Sequence, residues 1–142
     1  MVMGPHIQIL LQLSRIDGEV SPLEMDIIRE IGLSENLCDE TLEKELSALD
    51  DVPKVASVIN FSNDERITFL SQLIQVIKAD GRVERSEMTF CYPILEAWDI
   101  TTEDFTSLVL EILDREIDGP HIPVEVLVAS RFYPEHQEGE DS

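Results

Sequence analysis

Hydrophobic residues recur along this chain three and four positions apart, and that spacing lays out a succession of helices. Residues 5–16 carry Ile7, Leu10 and Leu11 together with Ile9, Leu13 and Ile16, a broad apolar face, and Pro5 suits a first-turn position where its missing N–H is no loss. In a second helix Ser21 is the N-cap, Pro22 the first helical residue and Glu24 the acid that reaches back to the cap amide. This helix is expected to run to about Ile31 and to stop at Gly32. Leu42, Leu46 and Leu49 mark an acidic third helix that ends before Pro53, and residues 55–59 have room for one further turn. Asn63 or Asp64 caps a fourth helix, where Ile67, Leu70, Ile74 and Ile77 share a face that Phe69, Leu73 and Val76 widen.

Met88, Cys91, Tyr92 and Leu95 are the inward positions of a fifth helix, which Pro93 should bend or interrupt because it lacks a backbone donor. Thr101 opens a sixth, with Asp104 at the capping-box offset and Phe105, Leu108, Val109 and Ile112 as its buried stripe, ending near Asp118-Gly119. Residues 124–128 fit either a short helix started by Pro123 or an extended arm. The reading is an all-α bundle of about six to seven helices over residues 1–134. Residues 135–142 are acidic without an apolar anchor and are expected to be disordered.

One stretch organises the rest. Asp17-Gly18-Glu19-Val20-Ser21-Pro22-Leu23-Glu24-Met25 returns 63 residues later as Asp80-Gly81-Arg82-Val83-Glu84-Arg85-Ser86-Glu87-Met88. Asp, Gly, Val, Glu and Met keep their offsets, and each copy lies between two helical segments, so each reads as the elbow of a helical hairpin. Gly18 and Gly81 supply the left-handed stop. A third Asp118-Gly119 with Glu125 has His121 in the valine position and is broken by prolines; in a chain with 30 acidic residues among 142, it reads as coincidence or a decayed relic.

An aspartate at the C-terminal end of a helix faces the negative end of the helix dipole, so its recurrence at Asp17 and Asp80 calls for a compensating partner. Backbone amides of the next helix start and a bound cation both satisfy that need. Gly18 to Glu24 and Gly81 to Glu87 reproduce the spacing from the glycine to the last glutamate of a calcium EF-hand. The early ligand positions of such a loop fall on Leu13, Arg15, Val76 and Lys78, which carry no suitable oxygen, so neither copy builds a cage alone. A metal site therefore requires both elbows to converge. Glu24 has capping as its plainer role; Glu87 has less claim to it, since Glu84 stands where Ser21 caps the first copy.

Composition narrows the function. Thirty acidic against ten basic residues give a net charge of −20, which repels phosphate backbones and anionic lipid and attracts cations and basic or amphipathic protein partners. No apolar run reaches the roughly 18 residues of a membrane span, and no leader pattern opens the chain, so a cytoplasmic protein is expected. Cys38 and Cys91 are far apart and read as buried or half-buried thiols; His6, His121 and His136 lack metal spacing and read as solvated or packing residues. No nucleophile elbow, phosphate loop or dinucleotide fingerprint is present, which argues against an enzyme.

The paired Asp-Gly-x-Val-x-x-x-Glu elbows resemble those of the TerB-like, or tellurite-resistance TerB, family, over nearly the whole chain. The resemblance implies about seven helices with internal pseudo-symmetry, no enzymatic activity, and metal-ion binding in bacterial responses to tellurite and related stress; the ion expected at these carboxylates is divalent, calcium or zinc. Its acidic positions fall on Asp17 and Glu24 and on Asp80 and Glu87. Ile16 departs from the alanine the family favours before Asp-Gly, whereas Ala79 matches it, and Arg82 places a cation inside the second loop. The alternative is a metal-free acidic domain that docks a basic or amphipathic protein.

Overall fold

A computed structural model describes residues 5–16, 22–47, 58–79, 81, 83, 85–118 and 123–134. Over these it forms seven helices and no strand: α1 Pro5–Ser14, α2 Pro22–Ser34, α3 Asp39–Ser47, α4 Asn63–Lys78, α5 Arg85–Ala97, α6 Thr102–Asp118 and α7 Val124–Phe132. The all-α expectation holds, and the ambiguous stretch after Pro123 is a helix. The expected tail at 135–142, with His121 and His136, lies outside the described residues.

Two helices carry most of the core, α1 and the part of α4 beyond its exposed first turn. In α1, Ile7, Ile9, Leu10, Leu11 and Leu13 are fully buried; in α4, Phe69, Leu70, Leu73, Ile74, Val76 and Ile77 are. α4 is the hub, packing against α1, α2, α6 and α7. The hydroxyls trapped in this core are satisfied within their own helices: Ser14 donates to the Leu11 carbonyl and Ser71 to that of Thr68, both at 2.7 Å. Each fully buried Leu or Ile contributes about 1.5–3 kcal/mol relative to exposure, and this connected core also takes in Met25, Ile28, Met88, Cys91, Trp98 and Phe105.

The repeat is longer than a hairpin. α2 and α5 are both 13 residues long and start 63 residues apart. Each ends in the same reverse turn, with Asn36 (φ 65°) and Asp99 (φ 58°) in left-handed backbone. In the first, Asn36 N–H donates to Leu33 O and Leu37 N–H to Gly32 O; in the second, Asp99 N–H donates to Glu96 O and Ile100 N–H to Leu95 O. This paired bonding satisfies carbonyls that a helix end leaves open. α3 and α6 then begin at the equivalent positions Asp39 and Thr102, α3 against α2 and α6 against α5. The repeating unit is therefore three helices, α1 to α3 and α4 to α6, with α7 added across α4 and α6.

Several local expectations are corrected. Gly32 does not end α2; the helix runs on to Ser34, and Gly32 is buried where a Cβ would come within 3.1 Å of Leu42 Cδ1. It serves close packing, and the left-handed stop is Asn36. The cap of α4 is Ser62, whose hydroxyl accepts from Glu65 N–H while Glu65 accepts from Ser62 N–H, a complete capping box one residue before the expected start. Tyr92 is half exposed, and Phe90 and Ile94 take the inward places on α5. Pro93 lies inside α5 without ending it. Cys38 is exposed, although Cys91 is buried. Thr101 caps α6 as expected, accepting from Asp104 N–H at 3.1 Å.

Candidate functional site

The elbows flank the central helices: the first joins α1 to α2, the second α4 to α5, and α4 packs on both α1 and α2. Asp17, with Gly18, Val20 and Ser21, and Asp80 lie outside the described residues. Gly81 has φ +80° with nothing within 4 Å of a Cβ built on it, so handedness and not crowding calls for glycine there. Val83 is partly buried against the core.

Glu24 and Glu87 are the third residues of α2 and α5 and are 5% and 3% exposed. Among the described residues they are the only buried carboxylates. The third residue of α4, Glu65, makes a full capping box and stays exposed, so capping alone does not require burial. A buried carboxylate must be compensated by donors or by positive charge, and neither glutamate lacks a partner in the fold. One turn after Glu87, the fully buried Cys91 thiol is pushed well up from its ordinary range, first by burial and second by the Glu87 charge. No three His, Cys, Asp or Glu side chains among the described residues are grouped so as to hold a metal ion. A cage at the elbows therefore requires Asp17 and Asp80 beside the two glutamates.

A second polar feature escaped the sequence reading. A cleft of about 370 Å³ opens between α1, the end of α2 and the first turns of α4, lined by His6, Glu35, Phe61, Asp64, Phe69 and Gln72 among others. His6 Nε2 sits 2.7 and 2.8 Å from the two oxygens of Glu35. Its ring also meets Phe61 and Phe69 edge-on, with centroids 6.4 and 6.3 Å away. His6 is thus a packing histidine, as expected, and a hydrogen-bond partner of Glu35 besides. Behind it, Arg66 donates to the Phe61 and Ile59 carbonyls and stands 5.2 Å over the Trp98 ring, tying the entry to α4 to the end of α5. Comparison of the two halves of the sequence would have exposed the cleft, as argued below.

The family profile described as tellurite resistance protein TerB matches residues 7–110. That span covers well over half of the 142 residues, both elbows and both buried glutamates, and the chain belongs to the TerB family. The match ends inside α6, at the counterpart of Ser47, the last residue of α3, so it spans most of both three-helix repeats and α7 lies beyond it. No curated protein and no solved structure gives a significant match. No helix among the described residues is long and apolar enough to cross a membrane.

Proposed function

We propose that this chain is a non-enzymatic TerB-type module that binds a divalent cation through its two elbows, in a stress response of the tellurite-resistance kind. Glu24 and Glu87, with Asp17 and Asp80, are the ligands. The observation that carries this reading is the burial of two carboxylates at equivalent positions of the two repeats, in contrast to the exposed capping glutamate Glu65. A donor set made only of carboxylate oxygens is hard and suits calcium better than zinc, which prefers nitrogen and sulfur.

The test is thermal unfolding of wild type and the double variant Glu24→Gln, Glu87→Gln with calcium, magnesium, manganese or zinc, against matched ionic strength. Glutamine keeps a capping bond and withdraws the charge. At one hundred times its dissociation constant the bound ion stabilises wild type by about 2.7 kcal/mol, and the variant loses most of that gain. Equal shifts in both proteins overturn the reading.

A second reading, a metal-free acidic interaction domain for a basic or amphipathic protein, draws support from the net charge of −20 and from exposed apolar side chains such as Leu33, 65% exposed beside the cleft residues Ser34 and Glu35.

A further inference from the structure

The internal repeat tells which positions the fold itself needs apolar. Sixty-three residues separate equivalent positions, so His6 corresponds to Phe69, Glu35 to Trp98, and Gln72 to Ile9. In the second repeat Phe69 and Trp98 are buried and pack edge to face with centroids 6.0 Å apart. In the first repeat the same pair of positions holds the hydrogen-bonded pair His6 and Glu35. Gln72 stands where the other repeat has the fully buried Ile9. Three sites that the architecture fills with apolar side chains elsewhere are polar here, and all three line one cleft.

The cleft is not merely acidic. Gln72 is 8% exposed, and its Oε1 has no hydrogen-bond partner. An unanswered buried carbonyl oxygen is costly in a folded chain, so the position favours an incoming donor. Glu35 and Asp64 add carboxylate acceptors, Phe61 and Phe69 add ring surface, and no lysine or arginine among the described residues lines the cleft. His6 Nε2 presents a single N–H to Glu35, and a carboxylate has about four lone-pair sites, so Glu35 retains acceptor capacity. Asp64, Thr68 and Gln72 follow one another at successive turns of α4, a track of about 12 Å at 1.5 Å per residue.

We propose that this cleft receives one arginine side chain presented by a basic segment of a partner protein. A guanidinium offers five donors in a planar fork that matches carboxylate and amide oxygens and lies against aromatic rings, whereas an ammonium offers a compact point charge and no plane. The volume is at the small end of the 300–1,000 Å³ range of ligand pockets, suited to one long side chain. The surrounding charge of −20 steers a basic segment toward it. This deepens the interaction reading and is independent of a cation at the elbows.

The experiment is titration of the full-length protein with a blocked pentapeptide, Ala-Ala-Arg-Ala-Ala, followed by amide NMR shifts at near-physiological salt. Parallel titrations use the lysine counterpart, free agmatine and hexalysine. The arginine peptide is expected to saturate and to move amides of α1, the end of α2 and the first three turns of α4. It should bind about tenfold more tightly than the lysine peptide, in keeping with loss of a bidentate partner. Gln72→Leu should weaken it by a similar factor and fold well, because Ile9 shows that an apolar residue suits the equivalent position. Glu35→Gln gives a second, independent loss. Glu96→Gln, the same charge change outside the cleft, should matter less than about twofold. Equal affinity for both peptides, or binding unchanged in Gln72→Leu and Glu35→Gln, overturns the assignment. Agmatine binding as tightly as the peptide overturns the protein-segment part of it. Hexalysine reports the acidic surface as a whole, so hexalysine binding together with no cleft response to the arginine peptide keeps the interaction reading and sinks this one.

Discussion

Asn36 and Asp99 hold the same left-handed backbone at the same point of two helices 63 residues apart, each closing its helix onto the strand of chain that leads into the next. Neither is glycine. A side chain with Cβ costs about 1–2 kcal/mol in this conformation, less for Asn and Asp, whose short polar groups bond locally. Asn36→Ala and Asp99→Ala should therefore each destabilise by about 1 kcal/mol, while Asn36→Gly and Asp99→Gly should be neutral or slightly stabilising. Urea unfolding midpoints of the four variants check this, and equal losses for Ala and Gly would show that the side-chain bonds, not the backbone, matter there.

The two cysteines should behave oppositely. Cys38 is exposed, and its thiol is held below the usual range chiefly by the Thr41 hydroxyl 3.2 Å from its sulfur. It should alkylate readily with iodoacetamide in the native protein and more slowly in Thr41→Val, since the thiolate is the nucleophile. Cys91 should react only after denaturation. Mass mapping of the alkylated peptides decides it.

Cys91 also makes stability depend on alkaline pH. Its folded thiol is raised above the ordinary value of 9.0, so the folded chain keeps a proton that the unfolded chain releases. That contribution is whole below about pH 9 and is lost progressively as pH rises further. Wild type should lose stability between about pH 8 and pH 10.5 more steeply than Cys91→Val, measured by urea unfolding. Parallel curves would mean that Cys91 titrates alike in both states.

Helix positions were legible because apolar spacing alone reports a helical face, and the elbows were legible because five residue types recur at fixed offsets. Other features depend on tertiary context. Gly32 looks like a helix stop, yet Leu42, ten residues on, needs the space above it, and the stop passes to Asn36. Ser62, Asn63 and Asp64 are all good caps; only the offset from Ser62 to Glu65 separates them. The inward face of α5 is turned by a fraction of a helical turn, so Phe90 and Ile94 replace Tyr92. The burial of Glu24 and Glu87 is invisible in a sequence where acids are usually solvated. The cleft draws single, ordinary residues from three distant segments, and only the mismatch between repeats marks them.

Gly32 makes a further prediction. Gly32→Val places branched carbon against Leu42 Cδ1, which a bare Cβ would already approach to 3.1 Å, and Leu42 is fully buried. Overpacking of this kind costs typically 1–3 kcal/mol. A thermal midpoint unchanged from wild type would show that α3 can move away from α2.

The claim that both elbows serve one cation is tested most directly by calorimetric titration of calcium into the protein, the variants Glu24→Gln and Glu87→Gln, and the pair combined. Convergent ligands predict one saturable ion per chain in wild type, and either single substitution should abolish most of the binding because the other elbow cannot build a cage alone. No saturable heat in wild type, or two ions of which each single variant keeps one, would contradict it.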